Sequence, residues 1–124
     1  LLRQFRHAIR KEQLCCPRGF GEMDINTIEN AKKDLHEELN AVVIEEPIEL
    51  GIITADSGLS SGSATVFLMK INEFNDLREE GIREIVALTS DEMQQSIKNG
   101  EIDDGYTLAA LALYNTFINS REKL

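Results

Sequence analysis

Residues 17–42, PRGFGEMDINTIENAKKDLHEELNAV, constrain this chain more than any other stretch. Ile28, Ala31, Leu35 and Leu39 recur at spacings of three and four, so they share one face of a helix and predict its burial. That helix spans Thr27–Leu39, with Asn26 or Thr27 as its N-cap. Asp34, Glu37 and Glu38 crowd the face beside the apolar stripe, within the last turn and a half. Carboxylates are disfavoured there, because the C-terminal end of the helix dipole is negative. Asp34 and Glu38, like charges four apart, add a penalty of a few tenths of a kcal/mol. A divalent cation held by Asp34, Glu38 and Glu37 would remove both costs; a solvated acidic face is the plain alternative.

Composition narrows the classes. The 124 residues suit one domain with a real core. A net charge of −9 argues against a general nucleic-acid binder, which presents a basic surface. The charge is uneven: Arg3, Arg6, Arg10, Lys11 and Arg18 face a single acid, Glu12, within residues 1–18. Cys15 and Cys16 are adjacent, with no other cysteine to pair with, which points to a reducing, cytoplasmic compartment and to packing roles. No apolar run approaches the ~20 residues that span a bilayer, and no signal peptide is visible. The chain opens at Leu1 in what reads as mid-strand, so an N-terminal segment is expected to precede it.

Along the chain, strands are expected at 1–7, 13–16, 41–45, 49–56, 64–71 and 82–88, where β-branched and apolar residues dominate. Pro17, Gly19 and Gly21 shape the turn before the acidic helix. Thr89-Ser90-Asp91-Glu92 is a capping box opening a helix that Gly100 closes. Asp103 or Asp104 then starts a last helix over 107–120. Its run Leu108-Ala109-Ala110-Leu111-Ala112-Leu113 is apolar on most sides and should pack deeply.

The stretch around the acidic helix resembles the signature of the Nudix family. Gly19 matches the first glycine, Asp34 stands at the acid of the Arg-Glu pair, Leu35 is the aliphatic, Glu37-Glu38 are the paired acids and Ala41 is the closing aliphatic. Ile25, Lys33 and Asn40 depart from the pattern, standing where the family has Glu, Arg and Gly. Losing both members of an ion pair is far cheaper than losing one, which links the changes at Ile25 and Lys33. Asn40 suits the left-handed position that ends a helix.

Two further stretches resemble the ADP-ribose pyrophosphatase-like subgroup: Leu2-Arg3-Gln4-Phe5-Arg6 before the box, and residues 99–108, NGEIDDGYTL, after it. The likeness extends from Leu2 to about Tyr114.

The resemblance implies an α/β fold, a Nudix-type α/β/α sandwich whose mixed sheet lies between Thr27–Leu39 and the last helix, formed by a single domain over 1–124. It implies a pyrophosphohydrolase that cleaves a nucleoside diphosphate linked to another group, such as ADP-ribose or a nucleotide-sugar, with Mg²⁺ or Mn²⁺. Asp34 and Glu38 would be the principal metal ligands, Glu37 a bridging acid, and the Arg18 carbonyl a further ligand. Arg6 and Gly19 would bind substrate. The general base would come from Glu79 or Glu80, and His36, at a free position of the box, would be a surface residue. Many members of the subgroup dimerise, so a homodimer is among the expectations. A non-catalytic module of the same fold, binding a nucleotide or a protein, is the rival reading that Ile25, Lys33 and Asp34 favour.

Overall fold

A computed structural model describes residues 1–6, 11–17, 27–39, 41–54, 63–72 and 82–122. It is a mixed α and β arrangement: β1 (Leu2–Arg6), β2 (Lys11–Cys15), α1 (Thr27–Leu39), β3 (Ile48–Thr54), β4 (Ser63–Leu68), β5 (Ile82–Ile85), α2 (Ser90–Lys98) and α3 (Gly105–Glu122). Apart from the strand expected at 41–45, the expected elements appear in their expected order, and α1 has the predicted bounds.

The strands form two antiparallel pieces. In the first, β1 lies between β2 and β5, with Leu2 opposite both Cys15 and Ile85. In the second, β3 pairs with β4 from Ile48↔Leu68 to Thr54↔Ser63. Every pairing among the described residues is antiparallel, so the parallel pair that would make a mixed sheet is not among them.

Among the described residues, the strand expected at 41–45 shows one bridge, Val43↔Ile71, flanked by hydrogen bonds from the Ile44 N–H to the Lys70 carbonyl (2.9 Å) and from the Asn72 N–H to the Val42 carbonyl (3.2 Å). Pro47, with no N–H to give a ladder, separates this bridge from β3, where pairing resumes at Ile48. The strand expected at 82–88 likewise stops at Ile85, although the Val86 N–H still reaches the Leu1 carbonyl at 2.7 Å.

A bulge between Glu49 and Gly51 shifts the β3–β4 register. Gly51 has φ of 155°, a conformation side chains avoid, and a Cβ placed on it would sit 3.2 Å from Leu113 Cδ2. Glycine is thus what lets α3 lie close on β3. On the other strand of the pair, α1 packs against β4.

One core cluster, Leu14, Ile102 and Leu111, joins β2 to α3 and gathers Val86, Leu88, Met93, Ile97 and Leu108 around it. A second is centred on Ala41, with Leu35 of α1, Ile71 and Ile85. Cys15 is fully buried and Cys16 half-buried, consistent with packing roles for both.

The helix ends follow the sequence closely. Thr89 caps α2 in a complete capping box, its hydroxyl accepting from the Glu92 N–H at 3.2 Å while the Glu92 carboxylate accepts from the Thr89 N–H at 2.9 Å. Gly100, at φ of 79°, closes it: Gly100 N–H donates to the Ile97 carbonyl and Glu101 N–H to the Ser96 carbonyl. Of the two candidate acids before α3, Asp104 is the cap. Its buried carboxylate accepts from Thr107 N–H at 3.0 Å and Thr107 Oγ1–H at 2.7 Å. Thr107 Oγ1 in turn accepts from the Cys16 N–H at 2.9 Å, which ties the end of β2 to the first turn of α3. Capping at Asp104 is why α3 begins at Gly105 rather than at Thr107.

The expectation of deep packing for α3 holds on one side only. Thr107 and Leu111 are buried, whereas Ala112 and Thr116 are exposed and most of the other positions are half-buried.

Candidate functional site

The acidic helix α1 forms because its apolar positions, Ile28, Ala31 and Leu35, recur on one side, and because most of its exposed positions carry straight-chain Glu and Lys. Ion pairs lie along its surface, among them Glu29–Lys32 at 3.5 Å and Lys33–Glu37 at 3.9 Å. Both are partly exposed, so each adds only a few tenths of a kcal/mol. The second answers the sequence's central puzzle in part, since Lys33 offsets one of the three carboxylates crowded near the C-terminal end.

Those carboxylates differ in setting. Asp34 is half-buried, whereas Glu37 is exposed beside Lys33. Glu38 follows on the last turn, four residues after Asp34, and its side chain lies outside the described residues. So do the side chain of Arg6 and the whole of Arg18, Gly19, Glu79 and Glu80. The described structure thus places Asp34 and Glu37 on one helix, with no bearing on the predicted base or phosphate-binding residues. His36 is exposed, as its free position in the box implied.

Among the described residues, no three His, Cys, Asp or Glu side chains converge on a common point. The donor chemistry of the acidic turn still fits a hard divalent cation: three carboxylates at positions i, i+3 and i+4 offer oxygen alone, the atom that Mg²⁺ and Mn²⁺ prefer.

Sequence reasoning missed the cleft beside this helix. A cavity of about 850 Å³ opens between α1, β4 and α3. Asn30 and Asp34 border it from α1, Phe67 and Met69 from the β4 side, and Tyr106 and Tyr114 from α3. The clue available in the sequence was spacing: Tyr106, Ala110 and Tyr114 fall four apart and line one stripe of the helix, as Asn30 and Asp34 do on α1. An apolar run around that stripe concealed it.

Cys16 also borders the cleft, and burial pushes its thiol above the ordinary cysteine range. It therefore stays protonated near neutrality and is a poor nucleophile.

No protein-family model matches the chain, and no curated protein resembles it significantly. Among the described residues no helix is long and apolar enough to cross a membrane.

Proposed function

We propose that this chain is a divalent-metal-dependent pyrophosphohydrolase with a Nudix-type α/β/α architecture, acting on a nucleoside diphosphate linked to another group, such as ADP-ribose or a nucleotide-sugar. The observation that carries the reading is the single unbroken helix Thr27–Leu39, which puts Asp34, Glu37 and Glu38 within about one turn of each other, in the order the family's box requires. Asp34, Glu37 and Glu38 would hold Mg²⁺ or Mn²⁺, joined by the Arg18 carbonyl. When bound, such an ion neutralises pyrophosphate charge and makes water a better nucleophile.

The remaining work belongs to the chain. Arg6 offers a guanidinium fork suited to two phosphate oxygens at once, and Gly19, having no side chain, would let substrate approach closely. Glu79 or Glu80 takes the proton of the attacking water. Asp34, bordering the cleft between α1 and α3, sets the acidic turn next to a cavity able to receive the rest of the substrate.

One observation favours a non-catalytic nucleotide- or protein-binding module instead. Lys33 pairs with Glu37, so one carboxylate of the set already has a cation beside it, and Ile25 leaves Lys33 without the glutamate that its family counterpart braces.

Turnover decides between the two. Phosphate-coupled hydrolysis of a panel of ADP-ribose and nucleotide-sugars is measured with Mg²⁺ and with Mn²⁺. The hydrolase reading expects metal-dependent product from at least one substrate, abolished by Glu38→Gln. Binding without turnover across the panel would move the assignment to the module.

A further inference from the structure

We infer that the face formed by Val42, Ile44 and Ile48 is a docking surface for a short segment of another protein, one that carries aliphatic side chains flanked by Lys or Arg. Among the described residues, the large aliphatic side chains that stand out to solvent fall in one stretch: Val42 is 54 % exposed, Ile44 51 %, Ile48 40 % and Ile52 64 %. Single exposed aliphatics are ordinary, but a group of them on one face marks an interaction surface. Pairing shows which of the four are grouped. Opposite residues of an antiparallel pair point to the same face, and alternate residues of one strand share a face. Ile48 stands opposite Leu68, and the Val43↔Ile71 bridge sets Ile44 opposite Lys70 and Val42 opposite Asn72. Leu68, Lys70 and Asn72 alternate, so Val42, Ile44 and Ile48 share one face, while Ile52, opposite Thr65, lies on the other. Gly51 is opposite Val66, on the face of Leu68, and there α3 closes over the strand at Leu113. The 42–48 end of the same face stays open to solvent.

Charge and size choose the occupant. Glu45 and Glu46 lie between Ile44 and Ile48, and Glu49 follows directly, all three exposed. The stretches 42–49 and 68–72 hold one cation, Lys70, which sits beside Glu45 at 3.4 Å. Three carboxylates against one ammonium attract a cationic rim and repel an anionic one. A second copy of this chain, at net charge −9, would bring the same acids against them. Three half-exposed side chains also offer far less than the ~800 Å² per partner of a standard stable interface. An anionic lipid surface is repelled as a second copy is. A short basic and aliphatic segment meets both conditions, its aliphatic side chains covering the face and its cations reaching Glu46 and Glu49. None of these residues belongs to the proposed hydrolytic site, so the inference does not depend on that reading.

The test is fluorescence anisotropy of labelled peptides titrated with the whole chain. One probe alternates Lys with Val and Ile; a second replaces its aliphatic residues by Ser at the same charge, and a third replaces its Lys by Glu. Saturable binding is expected from the first, tighter than either of the others by about tenfold or more. Ile44→Ser with Ile48→Ser should weaken it about tenfold, and Glu46→Lys should weaken it by a similar factor. Glu101→Lys makes the same change of net charge at an exposed position after α2 and should leave binding nearly unchanged. Circular-dichroism melting checks the fold of each variant; if the double serine variant unfolds, the Glu46→Lys and Glu101→Lys comparison carries the test alone. Equal binding of the Lys-Ser probe, or equal weakening by Glu46→Lys and Glu101→Lys, would reduce the effect to overall charge and overturn the docking surface. So would the absence of saturable binding. Sedimentation velocity and flotation with phosphatidylcholine vesicles test the other occupants: self-association or vesicle binding abolished by the double serine variant would give the face to a second copy or to a membrane instead.

Discussion

Thr107 offers the sharpest test of what holds β2 to α3. Its side chain is 1 % exposed, and its hydroxyl does two jobs: it donates to Asp104 Oδ2 at 2.7 Å and accepts from the Cys16 N–H at 2.9 Å. Thr107→Val keeps the shape and removes both bonds. The Asp104 carboxylate retains the Thr107 N–H, but a buried acceptor losing a charge-assisted partner costs about 1–3 kcal/mol. The Cys16 N–H loses its hydroxyl acceptor and adds about 1 kcal/mol. The sum, about 2–4 kcal/mol, corresponds to a fall in Tm of roughly 10 °C for a domain of this size. Thr107→Ser is the control, since it keeps the hydroxyl and deletes one methyl, at a cost of about 1 kcal/mol. Thermal and urea unfolding followed by circular dichroism measure both. If serine proves as costly as valine, or more so, the site is held by apolar packing and the hydrogen-bond reasoning is wrong.

Gly51→Ala is expected to destabilise by about 1–3 kcal/mol in urea unfolding, because φ of 155° suits glycine and the new Cβ meets Leu113 at 3.2 Å; an unchanged midpoint would refute this. Thr89→Ala should cost about 1 kcal/mol through loss of the α2 cap, read from the same unfolding curves. The backbone hydrogen bond from Thr89 holds the Glu92 carboxyl below its ordinary range. Its contribution is therefore present above the unfolded-state value and lost as pH falls through the lower folded value, so Glu92→Gln should flatten that part of the stability–pH curve, and identical curves would count against it. Glu38→Gln keeps size and removes charge, so the Mg²⁺-dependent rise in Tm expected of the natural chain should shrink sharply; an equal rise in both would exclude Glu38 as a ligand.

What could be read in advance divides along a physical line. Local rules gave α1, the α2 capping box and the Gly100 stop, because each depends on residues within one or two turns and on groups that must be satisfied wherever the helix lies. Pro47 shows a local rule at work: β-branched residues at 42–44 suggested a strand, and the missing N–H at 47 interrupts the ladder between the Val43 bridge and β3. Long-range pairing followed no such rule. Nothing in the sequence of β3 says that its partner is β4, since strand composition encodes a half-buried surface rather than a neighbour. The cleft was hidden for a related reason. Tyr106, Ala110 and Tyr114 read as ordinary apolar helix, and only the placement of α1 opposite them, through β4, turns one stripe of that helix into a wall.

The candidate site repeats the pattern on a smaller scale. Spacing put Asp34, Glu37 and Glu38 on one turn, but it could not show that Lys33 would stand beside Glu37 while Asp34 turned towards an apolar cavity. These two settings pull the carboxylates apart chemically. Glu37 is exposed with Lys33 beside it, whereas Asp34 is half-buried at the edge of the cleft, where a cation is worth more. A cation bound at this helix should therefore gain more from Asp34 than from Glu37, whose exposed carboxylate is the better screened of the two.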